Sequence, residues 1–405
     1  AVGYKAAHTY AGNEIDAFGF ESLKLCTTGI RNAAFGAYTL DACTTGVYNN
    51  AFGYAALSAV TTGRDNCAFG SSALLVNTAD SNSAYGYLSL TACTTGTGNC
   101  AFGYASGSGC TTGSRNTALG ASANAGSTGS DNTSVGASAG TAITTGGNNT
   151  AIGSDALKTN ATGSHNVAIG LNALEDCTGS NNIAIGVDCS ANVTTGTLNT
   201  AIGRSALETC TTGNYNCAYG YNSLNALTTG AENAAYGYSS MVNCTTGHSN
   251  AGCGAFALQE VSTGTYNCAL GPSTLRRCST GDHNIAIGHA AGDHVTSGDY
   301  NVLIGNNAGT DISSHTGNVC IGSGAGENVI SNSETVIGRD AGAALTTGSS
   351  VTVLGAYALQ TSATNNNNTA VGYKALQDCT SGDNTSVGYQ ALSELTTAGY
   401  NTAVG

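Results

Sequence analysis

Apolar and polar positions recur along this chain with a single period. The unit is Asn-x-Ala-Φ-Gly, where Φ is apolar, as in Asn49-Asn50-Ala51-Phe52-Gly53, Asn149-Thr150-Ala151-Ile152-Gly153 and Asn401-Thr402-Ala403-Val404-Gly405. Its glycine falls at 3, 19, 36, 53, 70, 86, 103 and onward to 405, giving 25 anchors with every interval 16 or 17 residues. A period held from end to end means one structural unit copied. Function must then be read from columns of the repeat.

With the anchor glycine as zero, the residue before it is apolar in every copy: Phe18, Phe35, Phe52, Phe69, Tyr85 and Phe102, then mostly Ile, Val and Leu. The residue two before is small, usually Ala, and the residue three before is often Thr, Cys, Val, Ala or Ile. Alternation over three residues is a strand. Side-chain size puts the outer two in a core and turns the small middle one outward, against something close. The anchors, among them Gly36, Gly53, Gly70 and Gly153, mark a tight turn or a close backbone approach. Position +4 is Leu in 14 of 23 full coils and Gly in six, +7 carries Cys, Val, Ile or Leu, and Thr-Thr-Gly then reads as a turn.

Four before the anchor stands Asn in 21 of 24 copies, including Asn32, Asn49, Asn66, Asn149 and Asn166; the exceptions are Ile15, Glu334 and Val351. Stacked amides about 4.8 Å apart form a corner ladder that satisfies the backbone. Seventeen residues make one flattened coil, and 24 such coils predict a parallel β-solenoid on the order of 115 Å long. The whole of 1–405 reads as one uninterrupted solenoid. Both ends fall inside a motif copy, which reads as a window of a longer chain. A variant block spans about 288–355. There the +4 position is Gly292, Gly309, Gly326 and Gly342, and the middle strand residue turns bulky at Leu303, Cys320, Val336 and Val353. Volume lost on one wall and gained on another is a packing trade.

Composition narrows the function classes. Charged residues are 9%, net charge is −13, and only 11 Lys and Arg are present without a run of them, so no basic face offers itself to nucleic acid. No stretch of 18 apolar residues suggests a membrane span. No nucleophile–base pair, phosphate loop or repeated acidic calcium motif is visible, so neither an enzyme nor a cofactor is expected.

The strings at 149–153 and 166–170, and Asn199-Thr-Ala-Ile-Gly-Arg-Ser-Ala-Leu followed by Thr-Thr-Gly-Asn, resemble the head repeats of trimeric autotransporter adhesins and the repeats of bacterial surface and phage-type tail fibres. The likeness covers essentially the whole chain, with a period longer than those heads usually show. It implies a left-handed β-roll, three chains side by side, in an extracellular, cell-surface or virion fibre. The expected role is a shaft or stalk that gives stiff reach and display, with self-association as a homotrimer or between filament neighbours. The alternative is a carbohydrate- or receptor-binding head using exposed Tyr and Thr.

Candidate chemistry lies in four columns. Tyr54, Tyr87, Tyr104, Tyr221 and Tyr238, with Tyr4, Tyr373 and Tyr389, occupy +1 and offer an apolar surface with a polar tip to glycans. Thr pairs at +8 and +9 suit turn ladders, covalent O-glycans or, less well, ice. Nine of the 16 Cys sit at +7 and four at −3, where they read as small buried hydrophobes. They are free thiols, or partly disulfides such as Cys26–Cys43, Cys93–Cys110, Cys93–Cys100 or Cys210–Cys217. His283, His289 and His294 fall at different phases, which forbids a shared metal site and reads as solvated surface. Sequons at Asn160 and Asn192 are weak signals.

Overall fold

In the computed structural model, residues 1–11, 14–364 and 366–405 are described. Two compact units make up the chain, Ala1–Asn199 and Thr200–Gly405. Each is an all-β parallel β-solenoid with the expected period, and no helix occurs among the described residues. The first unit carries β1 (Ile15–Phe18), β2 (Asn32–Phe35) and then three-residue strands from β3 (Asn50–Phe52) to β11 (Ile183–Ile185). The second runs from β12 (Thr200–Ile202) to β24 (Thr402–Val404).

The register is strict within each unit. Thr150, Ala151 and Ile152 pair with Val167, Ala168 and Ile169 in the first. Cys268, Ala269 and Leu270 pair with Ile285, Ala286 and Ile287 in the second. Identical columns therefore stack on one another. The rest of the coil is bonded too: Leu40 N–H donates to Ala56 O at 3.1 Å, and Thr44 N–H to Thr61 O at 2.9 Å. Such pairing answers the requirement that buried backbone groups find partners.

The facing of the strand is the reverse of the expectation from side-chain size. Ala34, Ala51, Ala151 and Ala201 are fully buried, whereas Phe18, Phe102 and Ile152 face outward. Period-two alternation separates the two faces without saying which is inside. The interior is narrow, and its volume is supplied from the opposite wall by Leu40, Leu57 and Leu157 at +4 with Cys43 or Val60 at +7, all buried. Only a small residue fits opposite them. Each buried Leu contributes roughly 1.5–3 kcal/mol. Alanine's close neighbour is thus its own chain.

The variant block obeys the same volume rule. A Cβ on Gly292 or Gly309 would lie 2.6 Å from a Leu303 methyl carbon, and one on Gly326 would lie 2.6 Å from Cys320 Sγ. Leu303, Cys320 and Val336 are fully buried in coils whose +4 residue is Gly, in the space that leucine fills elsewhere; Val353 is fully buried too, in a coil that keeps Leu359.

Three left-handed positions of each coil do not follow from the sequence reading. The +4 leucines hold φ near +50°, for instance Leu40 at 49° and Leu57 at 52°, the +2 residues Asp155 and Asn172 hold 56° and 54°, and the residues just before the Asn corner, such as Tyr48 and Asp65, hold 60° and 59°. Left-handed backbone is costly for a residue with a Cβ, most of all a β-branched one. The signal was present: no Val, Ile or Thr occupies +4 in any coil.

Candidate functional site

The anchor glycine sets where the outward face ends. Gly53 has φ +131°, and a Cβ there would lie 2.6 Å from the backbone of Gly70 in the next coil; at Gly36 and Gly153 it would lie 2.2 and 2.3 Å from a carbonyl oxygen. Gly70 has the same backbone, with φ +140°. Both a positive φ and a close approach therefore exclude a side chain.

The Asn column is buried beside that turn. Asn49 N–H donates to Asn32 Oδ1 at 3.0 Å, and Asn66 N–H to Asn49 Oδ1 at 3.1 Å. Each side-chain amide also donates forward, Asn32 Nδ2 to Gly46 O at 2.7 Å and Asn149 Nδ2 to Gly163 O at 2.9 Å. Asn166 N–H donates to Asn149 Oδ1 at 3.0 Å. One side chain thus satisfies a buried donor and a buried acceptor, which apolar residues cannot do. This column is interior and meets no ligand.

The outward strand residues form the most distinctive surface. In the first unit Phe18, Phe35, Phe52, Phe69, Tyr85 and Phe102 stack as a ladder, with centroids 4.9, 4.7, 4.3, 5.3 and 5.0 Å apart. Leu119, Ile152 and Ile185 carry the exposed column onward. In the second unit it includes Ile202, Tyr236, Leu270, Ile287 and Leu354. Among all residues one and three before an anchor, the sole charge is Asp16. Each unit thus presents a nearly uncharged apolar column on its outer face. In the second unit it dips at a depression of about 320 Å³ lined by Ala234, Tyr236, Ala251, Cys253, Cys268 and Leu270.

The Tyr column lies around the corner and is exposed, with Tyr54, Tyr104 and Tyr238 each more than half accessible. Many of its rings cover one another. Tyr87 stacks on Tyr104 at 5.8 Å and Tyr221 on Tyr238 at 5.5 Å. A pyranose seats on a ring face, and stacked rings present mostly edges. Tyr54 is different, meeting Tyr38 edge-on with an interplanar angle of 81°.

The Thr pairs split. The first hydroxyl donates to the next coil, as Thr44 Oγ1 to Thr61 O at 3.1 Å and Thr94 Oγ1 to Thr111 O at 3.1 Å. The second of each pair, such as Thr45, Thr95 and Thr112, is exposed. Of the two sequons, Asn160 is buried and bonded to Gly163, while Asn192 is exposed.

All sixteen cysteines are free thiols. The +7 group is buried as expected; the −3 group is not, because that column faces outward. Cys100, Cys253 and Cys268 are exposed and Cys67 and Cys217 half-buried. The proposed Cys93–Cys100 and Cys210–Cys217 bridges fail because each would join an inward to an outward side chain. Burial pushes the Cys244 and Cys278 thiols up to about 12. A maleimide at about pH 7.5 is therefore expected to label Cys100, Cys253 and Cys268 of the isolated chain, and Cys244 and Cys278 only after unfolding. Peptide mapping checks this, and rapid native labelling of Cys244 would contradict it.

His283 and His289 are exposed, as expected of solvated surface, and His294 is half-buried. His283 stacks between Tyr266 and Tyr300 at 4.9 and 4.8 Å. His294 bridges Asp293 and Asp311, and Asp293 also takes a two-point contact from Arg276 at 2.6 and 3.0 Å. Among the described residues, no group of three or more His, Cys, Asp or Glu is placed to hold a metal ion. No helix among them is long and apolar enough to cross a membrane. No protein-family model matches the chain, and no curated protein matches it.

Proposed function

We propose that this chain is a shaft or stalk segment of an extracellular, cell-surface or virion fibre, in which it associates with copies of itself as a homotrimer. The observation that carries this reading is the uncharged apolar strip, repeated coil upon coil at the spacing of the sheet. A second copy supplies a matching strip at the same spacing, and burying it needs no counter-charge. The work is mechanical. Backbone bonds, Asn ladders and buried Leu columns resist bending, and the segment holds a distal element at a distance. The proposal assigns it no catalytic step. Eleven buried thiols leave an oxidising exterior few cysteines to reach.

Stacked Tyr edges favour the shaft over a glycan-binding head. Changing Tyr54, Tyr87 and Tyr104 to Ala is expected to leave glycan-array signals unchanged; loss of a defined signal would favour the head. The association is tested with Phe52→Glu combined with Ile152→Glu, which alter outward side chains only. Native mass spectrometry is expected to show trimer for the parent and monomer for the variant, with unchanged circular dichroism. Maleimide labelling of Cys100 should rise in parallel. A monomeric parent would sink the self-association.

A further inference from the structure

The Asn column is interrupted by a carboxyl side chain, Glu334, which is fully buried. It keeps the ladder going on one side. Its N–H donates to Asn318 Oδ1 at 2.9 Å, and its Oε2 accepts from Val351 N–H at 2.5 Å, one coil on. Oε2 thus does what an Asn Oδ1 does at the regular rungs. Oε1 has no hydrogen-bond partner. At the regular rungs the amide nitrogen donates forward, Asn284 Nδ2 to Gly298 O at 2.8 Å and Asn301 Nδ2 to His315 O at 2.9 Å. Both carbonyls lie fourteen residues ahead; the same offset from Glu334 reaches Gly348.

An amide offers one acceptor and one donor, whereas a carboxylate can only accept. A neutral carboxyl again offers both. We propose that Glu334 is a proton-operated rung: protonated, it completes the ladder and tightens the coils around it, and ionised, it leaves a buried oxygen without a donor and loosens them.

No cation faces an ionised form; the Val351 N–H, the Ser331 hydroxyl and the Ser350 backbone favour it, and burial outweighs them. The preceding coil presents Asn318 and the buried Cys320 thiol, itself pushed up to about 12 by burial first and by the Glu334 charge second. Its own coil presents the Ser331 hydroxyl, which has no partner in hydrogen-bonding geometry. The following coil presents the backbone of Ser350 and Val351. Charged residues of this stretch lie outside, where Arg339 faces Asp340 at 3.8 Å. Burial accordingly raises the carboxyl above its ordinary value of 4.5, against the lowering effect of the Val351 N–H. With the folded value raised, the stability this group contributes is full below the unfolded value and is lost as pH rises through the folded one. Acidification from neutral pH therefore strengthens this part of the stack.

The test is hydrogen exchange on the full chain, read at Thr335 and Val351 and corrected for intrinsic rates. Protection at about pH 5 is expected to exceed that at about pH 7.5 by roughly two- to tenfold, the worth of one hydrogen bond. Glu334→Gln supplies the donor permanently and should give the acid level of protection at both values. Protection that is flat or falls on acidification, or a Gln variant that keeps the pH dependence, would overturn the proposal. If the variant does not fold, infrared spectroscopy of the parent decides: a neutral-carboxyl stretch persisting above the ordinary carboxyl range supports the rung, and its absence refutes it.

Discussion

Asn149→Val is expected to be among the most damaging single changes to the first unit, although it keeps side-chain volume nearly constant. One buried donor loses its partner, Asn166 N–H, which donates to Oδ1; Gly163 O loses the Asn149 Nδ2 bond but keeps the one from Asn160 Nδ2. Leaving a buried donor unmade costs about 1–3 kcal/mol, and that is the loss expected here. A stacked repeat need not unfold in one step, so the change should appear first as local opening. Hydrogen exchange at Asn166 and Val167 is expected to accelerate at least tenfold, with Asn32 to Phe52 unaffected. The chain already carries the reciprocal case. Val351 occupies a rung and offers no acceptor to Asn368 N–H, so Val351→Asn should slow exchange there. A loss below about 0.5 kcal/mol for Asn149→Val would mean that the amides are passengers in the corner.

Much of this architecture was legible in the residues. The interval between glycines located every strand and the bridge at Val2, and the Asn column announced a corner that needs an amide. What sequence left open was orientation. A three-residue strand has one face on each side, and the larger residues were assigned inward because burial favours them. The chain does the opposite because Leu40 or Leu157 already fills the coil from the far wall. Two misreadings follow from that single reversal: the −3 cysteines are placed inside, and alanine's close neighbour is sought outside the coil. The positive-φ corners were hidden for a different reason. Leucine is not a residue that advertises left-handed backbone, and only the absence of β-branched side chains from +4 gave it away.

The apolar strip changes the meaning of the Φ column for the same reason. As core filler, Phe52 would be replaceable only by residues of similar volume. As a surface residue it can become Glu without disturbing the coil, and this is why the outward charge variants separate association from folding. The interior permits no such freedom, which makes it the place where the reversed orientation is most sharply testable.

Leu303 decides the matter. Its methyl groups occupy the space beside Gly292 and Gly309, and a Cβ on Gly309 would meet both Leu303 Cδ2 and Ile312 Cδ1 at 2.6 Å. Leu303→Ala should leave a cavity and cost about 2–5 kcal/mol. Gly309→Leu should cost at least 1–3 kcal/mol, because the added side chain has no room. Together they rebuild the Ala-opposite-Leu arrangement of an ordinary coil, such as Ala218 facing Leu224, where Leu227 stands at +7 without conflict. The double variant is therefore expected to recover most of both losses, with a coupling energy of about 2 kcal/mol or more in a denaturation cycle. If strand residue and +4 residue shared no volume, the two costs would simply add. Additivity within about 0.5 kcal/mol would return Leu303 to the outside of the coil and reopen which wall of this solenoid encloses its core.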